Sequence, residues 1–107
     1  MVRRAEIFWA DLPETYGRRP VVVLTRTGAI EGRRRVTVAP VTRTARGIRS
    51  EVAVGKKEGL STDSVVTADN IMTVPKWALA DRPLGALGPL KRRELDHAIR
   101  YALDIRS

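Results

Sequence analysis

Apolar positions in this 107-residue chain follow two regimes: short bursts up to about residue 75, then a helical spacing after residue 89. Glu6–Ala10 (EIFWA) is an aromatic and aliphatic burst that stops at the turn-forming Asp11-Leu12-Pro13. Pro20–Thr25 (PVVVLT) is a β-branched run of the length of a buried strand. Arg35–Thr42 (RVTVAPVT) alternates, which places Val36 and Val38, with Val41 as a third, on one face. Glu51–Val54, Ser64–Thr67 and Asn70–Val74 read as three further strands, and Gly17, Gly28, Gly32, Gly47, Gly55 and Gly59 punctuate the gaps. Short, closely spaced strands with glycine turns predict a mainly β fold, a small closed or half-closed β-barrel. Leu95, Ala98, Ile99, Ala102 and Leu103 then recur at i, i+3, i+4, i+7 and i+8, one apolar stripe along a C-terminal α-helix. Pro89 suits its first position, with Gly88 as N-cap. The stripe needs cover from the open side of the barrel or from a second subunit. No repeat, linker or low-complexity tract interrupts residues 1–107, and the length suits one domain.

Charge changes the picture more than composition does. The chain carries 20 Lys+Arg against 12 Asp+Glu, a formal net charge of +8. Such a surface attracts polyanions, of which nucleic acid is the commonest for a cytosolic domain, although charge alone does not separate RNA binding from general basicity. The apolar runs are far shorter than the ~20 residues that span a bilayer, and no signal-peptide pattern opens the chain, so the expectation is a cytoplasmic protein without a membrane segment. With no cysteine, disulfides, thiol nucleophiles and Cys-ligated zinc are excluded.

The chemistry left open is narrow. His97 is the single histidine, on the polar face of the helix with Arg93, Asp96 and Arg100, so two-histidine acid–base catalysis is not available within one chain. Carboxylates are scattered singly, without ligand spacing for a metal, and no phosphate-cradling glycine loop with a following Lys-Ser/Thr is present. One reaction on a polyanion needs none of these groups: cleavage of RNA by its own 2′-OH. The nucleophile is intramolecular, and a guanidinium can stabilise the phosphorane through a bidentate clamp.

At the level of motifs the chain resembles the MazF/PemK endoribonuclease toxins of bacterial toxin–antitoxin modules. Arg4-Ala5-Glu6-Ile7-Phe8 with Asp11-Leu12 is similar to that family's opening strand, and Arg19-Pro20-Val21-Val22-Val23 to its R-P-V-V-V. Ala39-Pro40-Val41-Thr42 resembles its A-P-[IV]-T, and Ser50-Glu51-Val52 its T-E-V. Asp63-Ser64-Val65-Val66, Ala68-Asp69-Asn70-Ile71 and Thr73-Val74 resemble its D-S-V-V…A-D-Q-I-R-T-V. In this order the pieces span about residues 4–105. The resemblance implies an SH3-like barrel of the MazF/PemK/CcdB type with a terminal helix, a homodimer, RNA bound in a groove at the dimer interface, no metal or other cofactor, and an acidic antitoxin as protein partner. Arg19 matches the catalytic arginine and Thr42 the catalytic threonine. Asp69 matches an acidic position, read either as a base or base-edge acceptor or as a structural turn residue. Asn70 stands where glutamine is usual, and its amide can read a base edge.

The sequence departs from the family pattern in three places. The loop Pro13–Arg18 is short, leaving Tyr16 to stack on a base and Arg18 to touch phosphate. Arg43 replaces the usual Ser/Thr after the catalytic threonine, adding a cation for RNA. Arg33-Arg34-Arg35 falls in an expected hairpin loop, either as soluble charge or as a phosphate track. Phe8 and Trp9 should point to opposite faces of their strand. Two rival readings share the barrel: a gyrase poison of the CcdB type acting through its C-terminal helix, and an RNA-binding barrel that does not cut.

Overall fold

The computed structural model describes residues 1–106. Seven strands form in chain order: β1 (Glu6–Asp11), β2 (Arg18–Val23), β3 (Arg35–Thr42), β4 (Glu51–Val54), β5 (Ser64–Thr67), β6 (Met72–Pro75) and β7 (Gly85–Ala86). A one-turn helix, α1 (Thr27–Ile30), precedes β3, and a fourteen-residue helix, α2 (Pro89–Ala102), follows β7. All strand pairings are antiparallel, in the order β4-β5-β3-β2-β1-β7, with β6 also paired to β3. The curled sheet is a half-barrel. Its two end strands, β4 and β7, do not pair; Gly59, in the turn between β4 and β5, meets Leu84 and Gly85 backbone to backbone.

The eight-residue β3 makes the curl. Its first half, Arg35–Val38, pairs with β6, and its last two residues, Val41 and Thr42, pair with β5, so one strand serves two half-sheets. Each face of the central strands buries its own core. Val22, Ile7, Ala39, Val41, Val52, Val54 and Val66 pack with Leu95 and Ala98 of α2. Val21, Val23, Phe8, Val36, Val38 and Val74 pack on the other side with Ile30 of α1. This is why Val21-Val22-Val23 is an unbroken apolar run: both faces are buried, so alternation is lost. It also corrects the reading of β3. Val41 has the opposite parity to Val36 and Val38 and faces the α2 core, not theirs.

The helix follows its periodicity. Leu95 and Ala98 are buried, Ile99 and Ala102 pack partly against the same core, and Gly88 caps a helix opened by Pro89. The stripe ends sooner than its spacing predicts, because Leu103 is the C-cap and stays 56% exposed. Arg4 ties α2 to the strands: its Nε donates to the Leu24 carbonyl at 2.9 Å and its Nη2 reaches Asp96 at 3.1 Å. Elsewhere the predicted boundaries move by a residue or two: β2 lies two residues earlier at both ends, and a 3-10 turn over Ala68–Asn70 takes the place of the β6 start at Asn70. As expected, Phe8 is buried while Trp9 is 39% exposed.

Candidate nucleic-acid interface

The outer face of the β3-β5-β4 half-sheet, away from α2, carries the polar chemistry. The register sets Thr42, Val65 and Ala53 in one row across it. On the other side of β3, Val21 faces Pro40, and extending that register by two places brings Arg19 opposite Thr42. Two clefts open on either side of this pair. The first, about 590 Å³, is lined by Trp9, Arg18, Arg43 and the hydroxyls of Ser61, Thr62 and Ser64. The second, about 270 Å³, is lined by Tyr16, Glu51, Thr67, Asp69 and Asn70. Arg19, Thr42 and Thr44 line both, so they form the ridge between them.

Arg19 is held by the short β1–β2 loop. Its Nε donates to the Tyr16 carbonyl at 2.9 Å, and its guanidinium carbon lies 5.6 Å from the centre of the Tyr16 ring. The loop folds back because Glu14–Tyr16 forms a 3-10 turn ended by Gly17 at φ +61°. The two terminal nitrogens of Arg19 make no hydrogen bond among the described residues, leaving the fork that fits a phosphate. Thr42 is also oriented: its Oγ1 accepts from the Thr44 amide at 3.3 Å, so its proton is left for another acceptor. Arg18 is exposed, paired with Asp11 at 3.1 Å and stacked 5.7 Å from the Trp9 ring centre.

Asp69 is engaged within the fold. Its Oδ2 accepts from Oγ of the buried Ser50, and the Ala68 amide donates to the Ser50 carbonyl, which fixes the 3-10 turn to the start of β4. Asn70, beside it, is exposed on the second cleft. The predicted residues thus fall on two adjoining clefts: Tyr16, Asp69 and Asn70 on one, Arg18 and Arg43 on the other, Arg19 and Thr42 between. Arg33, Arg34 and Arg35 are exposed but line neither.

Sequence reasoning missed the element that separates the second cleft from a third. Arg43–Arg49 leaves β3 near the start of β5 and enters β4 near its end, so it travels the length of β5 as a strap. Glu51 pins it: its carboxylate accepts from the Arg46 amide at 3.0 Å and the Gly47 amide at 3.0 Å. Consecutive amides converging on one anion form a nest, and Gly47 supplies the left-handed φ of +71°. Side chains of the strap fall on different clefts. Thr44, Arg46 and Ile48 face the second cleft, while Arg43 and Ala45 face a third, beyond β5. The Glu51 signal was present only as a motif letter.

Among the described residues no group of three or more His, Asp or Glu side chains is placed to hold a metal ion, and no helix is long and apolar enough to cross a membrane. A basic groove lined by guanidinium and hydroxyl groups on an antiparallel half-barrel defines a β-barrel protein suited to holding a polyanion. Comparison narrows the class: residues 3–103 match the PemK-like, MazF-like toxin of type II toxin–antitoxin systems, and the chain belongs to that family. It is 39% identical over 102 residues to the probable endoribonuclease MazF5 of Mycobacterium tuberculosis, covering 94% of this chain and 92% of that one. The solved Mycobacterium tuberculosis toxin MazF-mt6 superposes with a TM-score of 0.88 at 38% identity, over 95% of this chain and 99% of the other. A mycobacterial endoribonuclease in complex with its cognate antitoxin gives a TM-score of 0.87 at 28% identity, over 100% and 99%.

Proposed function

We propose that this chain is an endoribonuclease toxin that cuts single-stranded RNA without a metal ion, leaving 2′,3′-cyclic phosphate and 5′-OH ends. The observation that carries the reading is the ridge: Arg19 and Thr42 line both clefts, so a strand crossing from one cleft to the other presents a phosphodiester to both side chains. The 2′-oxygen attacks phosphorus and gives its proton to solvent, and the bond to the 5′-oxygen breaks as that oxygen takes a proton from Arg19, which solvent then restores. Arg19 stabilises the charge on the non-bridging oxygens of the phosphorane through the fork that Tyr16 holds in place. Thr42 donates to a phosphate oxygen. Asn70 and the Tyr16 ring stand where a neighbouring base is read, and Arg18 and Arg43 hold flanking phosphates.

The protein partner is an acidic antitoxin whose flexible tail lies along the basic groove and excludes RNA, a reading supported by the antitoxin complex of the structural relative. The site operates in a cytoplasmic homodimer, for which the uncovered end of the α2 stripe is the supporting feature.

The test is incubation of the purified protein with a long defined RNA in EDTA, with product ends mapped by primer extension and end-labelling. Discrete cuts with cyclic-phosphate and 5′-OH ends are expected. Arg19→Ala should lose at least roughly 100-fold in rate while keeping its fold, the usual scale for removing one donor to a transition-state oxyanion. Products with 3′-OH ends, or a requirement for Mg²⁺, would overturn the mechanism.

A further inference from the structure

The third cleft, on the far side of the strap, has no part in the chemistry above. It encloses about 600 Å³ between the strap, β4 and the start of α2. Its floor is apolar, made by Ala45, Ala53 and Val65, and its rim carries Arg43, Lys56, Lys57 and Lys91. Two carboxylates share the wall. That of Glu58 is turned inward, accepting from the buried Gly55 amide at 2.7 Å, which leaves Asp63 as the exposed one. Lys91 lies 3.6 Å from Glu94, whereas Lys56 and Lys57 make no ion pair among the described residues. Arg43 and Ser64 line both this cleft and the first one, so the two are continuous.

We infer that the third cleft is a subsite for RNA flanking the scissile phosphate, with Lys56 and Lys57 holding backbone phosphates and the apolar floor receiving a base. This rests on the nuclease reading and adds a direction to it: the strand leaves the Arg19–Thr42 ridge through the first cleft, passes Arg43 and ends against β4. An apolar floor under a cationic rim matches a nucleotide, which has a flat apolar face and an anionic linkage. Continuity with the ridge favours RNA over a separate protein ligand.

The double variant Lys56→Gln/Lys57→Gln tests this, since both side chains are exposed and make no ion pair among the described residues. Cleavage is followed with RNAs shortened one nucleotide at a time from either end of the mapped site. For long RNA the variant should raise KM with kcat unchanged. The slope of log kcat/KM against log salt should fall by about 1.4, at about 0.7 for each single-strand phosphate that a lysine no longer neutralises. Wild type should lose affinity at one particular shortening step, on one side only, and the variant should not show that step. An unchanged salt slope overturns the subsite. So does a loss of the same size on every RNA however short, which would be diffuse attraction. Weakened antitoxin binding with normal RNA cleavage would give the cleft to the antitoxin instead. If wild type cuts no RNA at all, the nuclease reading itself fails, and the absence of activity in wild type distinguishes that from failure of the subsite.

Discussion

Arg19 uses its guanidinium in two parts. The Nε is spent on the Tyr16 carbonyl, and the fork beyond it makes no hydrogen bond among the described residues. A lysine has no second set of donors to divide in this way, which gives a physical reason for arginine here. In the sequence Arg19 and Thr42 stand out only through motif order, and the β2–β3 register, extended by two places, sets them opposite one another. Asp69 could not be resolved from sequence, since its bond to Ser50 Oγ depends on the turn at Ala68–Asn70. Glu51 was hidden for the same reason: its partners are backbone amides, which a sequence does not display. Replacing it with alanine should release the strap, lower kcat about tenfold and cost about 1 kcal/mol of stability, the worth of an ordinary hydrogen bond near solvent. Faster hydrogen exchange at the Arg46 and Gly47 amides, partly restored in Glu51→Gln, would locate the effect in the strap. Unchanged exchange would show that Glu51 does not hold it.

At the scale of elements, α2 was legible through its 3.6-residue period, although its last predicted contact, Leu103, fell outside the core. The strands were legible as bursts, but β7 was not: two residues carry no period. Nor was α1, a single turn whose one buried side chain is Ile30. The crossing of Gly59 and Gly85 was equally invisible, since it is a contact between backbones. A Cβ on Gly59 would sit 2.1 Å from the Leu84 carbonyl oxygen, and its φ of +95° disfavours any side chain. Gly59→Ala should therefore destabilise by about 2–4 kcal/mol, the sum of overpacking and left-handed strain. Gly28→Ala, with open space around it, should be within about 0.5 kcal/mol of wild type. Urea unfolding of the pair checks this, and equal midpoints would mean that the two backbones do not meet there.

For the whole molecule, the balance of charge and uncovered apolar surface sets behaviour in solution. A net charge of +8 opposes self-association at low salt. Against it stand Tyr101, Leu103 and Ile105, each more than half exposed at the end of α2, with Arg49 stacked 4.7 Å from the Tyr101 ring centre and Ile48 exposed in the same strap. Sedimentation should give a dimer at micromolar concentration, strengthened by salt as charge repulsion is screened. Leu103→Glu/Ile105→Glu should shift it to monomer with its melting behaviour at low concentration unchanged. A double variant that remains dimeric would place the contact on another surface.

The alternation of the strap bears on how such proteins diverge. Because Thr44, Ala45 and Arg46 alternate between the second and third clefts, the length of the strap matters by parity. One residue inserted before Thr44 would exchange the two sets, turning what now meets the ridge toward the lysine rim and the reverse, whereas two would leave the assignment intact. Insertions in this loop among descendants of the chain should accumulate in pairs where RNA preference is kept, and singly where it has changed.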